Sequence, residues 1–153
     1  MRKIRIVAGI CILLAVALAG GPVLGQAKEV VIKPVGNKVL FDLEEITAKA
    51  GTRLVVIMDN IATNPSMAHN FVLLDVRPAD NAAVQRIGLA SVKAGEAREY
   101  IPEDEAVLAY TPMAAPGMKT RVEFTVPPPG EYVYMCSYLG HYMQMRGVFR
   151  SVP

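Results

Sequence analysis

Apolar and polar residues alternate along this chain in short runs rather than in long stripes. From Glu29 onward, Val30–Ile32, Arg53–Met58, Phe71–Leu74, Val107–Tyr110, Arg121–Val126, Tyr132–Met135 and Gly147–Val152 are short and favour extended backbone. In Arg121-Val122-Glu123-Phe124-Thr125-Val126 every second residue is apolar, the signature of a strand with one buried and one wet face. Gly36-Asn37, Ala50-Gly51, Asn64-Pro65 and Pro127-Pro128-Pro129-Gly130 fall between the runs and mark turns. Seven to eight strands punctuated in this way predict an all-β fold, an antiparallel Greek-key β-sandwich. Residues 78–90 break the pattern: Ala82, Ala83, Ile87 and Ala90 recur near helical spacing behind Asp80 or Asn81, either of which suits a helix cap. One short helical insertion is expected there. Glu103-Asp104-Glu105 reads as a solvated turn.

The N-terminus has a different texture. Arg2, Lys3 and Arg5 precede an apolar run from Ile6 to about Leu18, and Gly20, Gly21, Pro22 and Gly25 follow. This is the layout of a secretory signal, with cleavage expected after Ala27, so residues 1–27 are read as a signal peptide and 28–153 as one domain. The alternative is an uncleaved anchor, because Ile6–Leu24 approaches spanning length; it would tether the domain to the outer face of a membrane. Either way the domain is expected outside the cytoplasm, in a periplasm or on that outer face.

Without residues 1–27 the chain carries thirteen basic and fourteen acidic side chains, a net charge of −1. That balance argues against nucleic acid as a partner, since phosphates require clustered Lys and Arg. It leaves apolar docking as the expected way of meeting another protein. Cys11 lies within the apolar run, so the mature chain keeps Cys136 alone. A lone thiol in an oxidising compartment needs protection, and metal ligation provides it.

The segment Cys136-Ser137-Tyr138-Leu139-Gly140-His141-Tyr142-Met143-Gln144-Met145-Arg146-Gly147 gathers a thiolate, an imidazole and two thioethers into one loop after a strand. Some seventy residues earlier, Met67-Ala68-His69-Asn70-Phe71 sets the other of the chain's two histidines at the entry of another strand. Soft sulfur suits Cu(I) and imidazole suits Cu(II), and two His, one Cys and a long axial Met form the donor set of blue-copper electron transfer. Structural zinc would need four ligands of the Cys or His kind, and the mature chain offers three. A Cys/His nucleophile pair would need a third positioning group and a cleft, which four residues between Cys136 and His141 scarcely allow. A copper carrier without electron transfer is the closer rival, given Met67, Met113, Met118, Met143 and Met145.

The chain from Glu29 to its end resembles the azurin and auracyanin branch of the cupredoxins. That family carries Cys, four residues, His, three residues, Met, a basic residue and Gly, as do Cys136, His141, Met145, Arg146 and Gly147. Its upstream motif of a small residue, His, Asn and an aromatic is met by Ala68, His69, Asn70 and Phe71. The resemblance implies one type 1 copper ion with His69, Cys136 and His141 as equatorial ligands and Met145, rather than Met143, as the weak axial one. It implies that the Asn70 and Tyr138 amides donate to the Cys136 sulfur and that the Asn70 side chain ties its loop to Ser137. The Ala68 carbonyl would stand where azurins have a distant opposing oxygen, although Gly is replaced here by Ala. No disulfide of the azurin kind can form, since Cys136 is alone. The resemblance further implies that redox proteins, a donor and an acceptor, dock on an apolar patch around His141 made by Met67, Tyr138, Leu139, Tyr142 and Met143. No small-molecule substrate is expected.

Overall fold

The structure, a computed structural model, describes residues 27–153. The expected signal or anchor lies outside the described residues. Among the described residues no helix is long and apolar enough to cross a membrane. Eight strands and one helix succeed one another as β1 (Lys28–Ile32), β2 (Glu45–Lys49), β3 (Arg53–Asp59), β4 (Val72–Leu74), α1 (Asn81–Ala94), β5 (Val107–Tyr110), β6 (Lys119–Thr125), β7 (Gly130–Met135) and β8 (Arg146–Val152). They form a three-stranded sheet in the order β1-β3-β6 and a five-stranded sheet in the order β2-β8-β7-β4-β5.

The fold is all-β, as the sequence predicts, but the sheets are mixed rather than antiparallel. β1 runs parallel to β3 and β2 parallel to β8, while the other pairings are antiparallel. The cause is connectivity. β2 separates β1 from β3 in sequence but joins the opposite sheet, and such long crossovers let parallel neighbours form where a hairpin could not.

Side-chain period sets the core. On β6, Lys119, Arg121, Glu123 and Thr125 face water, while Val122 and Phe124 pack inward. β4 and β7 are buried on both faces, and successive residues serve two cores. Phe71, Leu73, Tyr132, Tyr134 and Cys136 face the sandwich interior with Ile32, Leu54, Met58 and Phe149. Val72, Leu74, Val133 and Met135 face Val84 and Ile87 of α1. The Tyr134 ring lies between Phe41 and Phe71, at centroid distances of 5.5 and 5.4 Å. Its hydroxyl donates to the Leu43 carbonyl, which the absence of a side chain at Gly147 permits: a Cβ there would stand 2.2 Å from the Tyr134 oxygen.

The helix begins where expected. Asp80 caps it, accepting from the Ala83 amide at 2.9 Å. It runs four residues past the expected end and stops at Gly95, whose φ of +68° suits a residue without Cβ. Asp104 is not the solvated turn residue it resembles in sequence. Its side chain is only 12% exposed, pairs with Arg86 of α1 and accepts from the Ala106 amide, so it anchors the helix.

Candidate metal centre

Strand register explains why distant residues meet. β4 and β7 pair with Val72 opposite Met135 and Leu73 opposite Tyr134. Continued outward, that register sets Phe71 opposite Cys136 and Asn70 opposite Ser137. The Asn70 Nδ2 donates to Ser137 Oγ at 2.8 Å, and the Ser137 amide donates to Asn70 Oδ1 at 2.9 Å, both buried. On the other side β7 pairs with β8, Met135 opposite Arg146, and one step further the Cys136 amide donates to the Met145 carbonyl at 2.9 Å. The loop from Cys136 to Met145 is thus the closed end of a hairpin.

His69 is fixed from behind. Its amide donates to the Ala114 carbonyl at 3.1 Å, and the Ala114 amide donates back at 2.8 Å. The Phe71 amide donates to Thr111 Oγ1 at 3.0 Å. Asn60, fully buried, donates through Nδ2 to the carbonyls of Met67 at 2.7 Å and Ala114 at 2.8 Å, binding the two segments that flank His69. Sequence reasoning missed Asn60 and Thr111, because an Asn after a strand and a Thr before Pro112 both read as turn residues.

Three donors converge at this end of the sandwich. The His69 Nδ1 lies 3.8 Å and the His141 Nδ1 3.6 Å from Cys136 Sγ. Their ligand atoms all lie within 4.8 Å of one another, the one such group of His, Cys, Asp and Glu among the described residues. These separations fit an ion. Metal–imidazole bonds of about 2.0–2.1 Å and a metal–thiolate bond of about 2.3 Å, spread trigonally, give nitrogen–sulfur edges of about 3.8 Å. Met145 is fully buried in the same core as Cys136, whereas Met143 is 59% exposed.

Burial shapes the chemistry of the donors. It pushes the Cys136 thiol up to about 11, although the backbone amides of Asn70 and Tyr138 donate to its sulfur and oppose the rise. Burial, with the neighbouring His141 as a smaller cause, lowers His69 to about 4, and burial likewise lowers His141. The site therefore holds two neutral imidazoles ready to donate and one thiol whose proton a metal must displace. His69 Nε2 is buried with no hydrogen-bond partner.

Around His141, Leu139 and Met143 are exposed, at 54% and 59%, and Met67 and Tyr138 are half-buried. Tyr142 does not belong to this surface. It is 5% exposed and packs beneath α1, because the absence of a side chain at Gly88 opens a slot that its ring fills. Ala68 lines a shallow cleft beside the site with Glu99, Tyr100, Met113 and Tyr138.

Comparison with known proteins agrees with this geometry. Residues 28–150 match the family described as copper binding proteins of the plastocyanin/azurin family. Auracyanin-A of Chloroflexus aurantiacus is 33% identical over 113 residues, 73% of this chain and 67% of the relative. An azurin of Methylobacillus flagellatus is 39% identical over 95 residues, 60% of this chain and 61% of that protein. The solved structure of auracyanin A, described as a "blue" copper protein, superposes with a TM-score of 0.76 at 29% identity, covering 83% of this chain and all of that one. The chain belongs to the plastocyanin/azurin family of copper-binding proteins, in its azurin- and auracyanin-like branch.

Proposed function

We propose that this protein is an electron carrier whose single copper ion is held by His69 Nδ1, Cys136 Sγ, His141 Nδ1 and the Met145 thioether. The observation that carries the reading is the convergence of two imidazoles and one cysteine sulfur, from separate strands and a hairpin end, at separations of 3.6 and 3.8 Å. Copper bound to this donor set supplies a one-electron Cu(I)/Cu(II) couple.

The residues around it limit motion between the two states. His69 is locked to Ala114, Cys136 to Met145, and Asn70 to Ser137, so the donors sit on a hydrogen-bonded frame that changes little when one electron is gained or lost. The Asn70 and Tyr138 amides partly offset the negative charge on the sulfur. His141, half-buried at the rim, offers the electron a path to a protein docked on the apolar surface of Met67, Leu139 and Met143. In this role no substrate is transformed. A signal-like N-terminus and a mature chain with one unpaired thiol support export to an oxidising space, where Cys136 is guarded by metal.

The test is a visible spectrum of the purified domain after addition of Cu(II). An intense thiolate-to-copper band that bleaches reversibly on reduction, and is absent from Cys136→Ser, is the expected result. A colourless protein that yields Cu(I) readily to a chelator would overturn the electron-carrier role in favour of copper carriage.

A further inference from the structure

The helical insertion between β4 and β5 looks in sequence like an excursion from the sandwich, yet the structure brings it against the loop that carries His141. Tyr142 fills the slot at Gly88 of α1, where a Cβ would lie 2.3 Å from its ring. Beyond the helix, the Tyr100 ring meets the Tyr138 ring edge-on at 5.0 Å and 81°, and Tyr138 meets the His141 ring edge-on at 5.1 Å and 74°. The loop is therefore held at both flanks of His141.

Backbone strain marks the same junction. Among the described residues three non-glycine residues have positive φ: Glu99 at 50°, Tyr100 at 56° and Leu139 at 24°. Such conformations are unfavourable for residues with a Cβ and persist only where surrounding structure imposes them. Here the ties are visible. The Tyr100 amide donates to the Gly95 carbonyl at 2.9 Å, and the Glu99 amide donates to the Glu96 carbonyl at 2.8 Å. The Glu99 carboxylate accepts from the Met113 amide at 2.8 Å, and the next residue, Ala114, is the one paired with His69. One strained dipeptide thus reaches the segment behind His69 through Glu99 and the ring beside His141 through Tyr100.

We propose that Glu99 and Tyr100 are positioning residues that clamp the segment behind His69 against the loop that carries His141, making the helical insertion the brace of the metal centre. The consequence for electron transfer rests on the copper reading above, whereas the clamp itself is a property of this chain alone. A loop pinned at Tyr138 and Tyr142 lets His141 swing less, and a smaller swing means less rearrangement when the charge at the site changes.

The experiment compares Tyr100→Ala with Tyr100→Phe, which keeps the ring, and Glu99→Ala with Glu99→Gln, which keeps an acceptor oxygen. In metal-free protein, amide hydrogen exchange is read at His141 and Met145, whose amides donate to the Tyr138 and His141 carbonyls at 2.7 and 2.8 Å, and at Met113 and Ala114. Tyr100→Ala should speed exchange in the loop by about tenfold or more, with β3 and β6 amides unchanged as the guard against global destabilisation. Tyr100→Phe should stay within roughly twofold of the parent. Glu99→Ala should do the same at Met113 and Ala114, and Glu99→Gln should restore the parent value.

With copper added, the electron self-exchange rate followed by NMR line broadening should fall about tenfold in Tyr100→Ala and recover in Tyr100→Phe. Exchange within roughly twofold of the parent in Tyr100→Ala and Glu99→Ala would overturn the clamp. A parent protein that takes up no copper would instead overturn the electron-carrier reading, leaving amide exchange to decide the clamp.

Discussion

Replacing Asn70 with Ala tests the cross-strand link from which the copper loop is hung. The side chain makes two buried hydrogen bonds to Ser137, at 2.8 and 2.9 Å, and both residues are fully buried. Truncation leaves the Ser137 amide and hydroxyl without partners where water does not reach. Each orphaned group costs about 1–3 kcal/mol, so the pair should cost about 4 kcal/mol. That is a large share of the roughly 5–15 kcal/mol by which a domain is stable. The Asn70 backbone amide still donates to Cys136, so the thiol keeps that donor. The assay is urea unfolding of metal-free protein, which keeps metal linkage out of the comparison. With a slope of about 2 kcal/mol per molar, the midpoint should fall by about 2 M. A cycle with Ser137→Ala should show coupling of about 1–2 kcal/mol, because each single variant already strands the other side chain. A loss below about 1 kcal/mol at unchanged slope would refute the reasoning, since the link would then be tied no better than a surface pair.

Metal-free stability should fall at both ends of the pH scale. Burial, with His141 as a smaller cause, holds His69 near 4 against an ordinary 6.5, so stability present above pH 6.5 drains away as pH falls toward 4, about 3 kcal/mol in all. Cys136, pushed up to about 11 from 9.0, keeps its contribution below pH 9 and loses it as pH rises toward 11; unfolding midpoints across pH read both limbs. Copper uptake at pH 7 should release about one proton, from the Cys136 thiol, measured with an indicator dye in weak buffer. Gly147→Ala would set a Cβ 2.2 Å from the Tyr134 hydroxyl and 2.7 Å from the Glu44 carbonyl, and since backbone cannot step aside, calorimetry should show a loss of about 3 kcal/mol. Asn60→Ala, which takes the Asn60 donor from the Met67 carbonyl and the acceptor from the buried Ala62 amide and leaves the Ala114 carbonyl with the His69 amide alone, should cost about 3 kcal/mol by the same assay.

What could be read in the sequence was whatever local period or fixed spacing encodes. Alternation marks β6, and the spacing of Cys136, His141 and Met145 marks a donor-bearing loop after a strand, which the pairing of β7 with β8 makes the end of a hairpin. β2 escapes because Glu45–Lys49 buries only Ile46 and Ala48 between polar neighbours, and its partner β8 lies about a hundred residues away. The parallel pairings escaped for the same reason: they depend on which sheet each strand joins. Sequence puts Tyr142 on the docking surface because neighbours in a short loop are alike in sequence, and only the slot at Gly88 decides that it turns inward while Met143 turns out. Asn60 was invisible because nothing near it in the chain announces that it will be enclosed.

The pairing of β2 with β8 has a consequence for how the molecule comes into being. Glu45 meets Val148 and Lys49 meets Val152, so the five-stranded sheet cannot close until the final strand is available. A chain threaded N-terminus first through a narrow channel would therefore stay pliable for the whole passage. In a chain exported in that way, as the proposed function has it, Cys136, His141 and Met145 would emerge just ahead of that strand, and their convergence would wait for the moment of arrival.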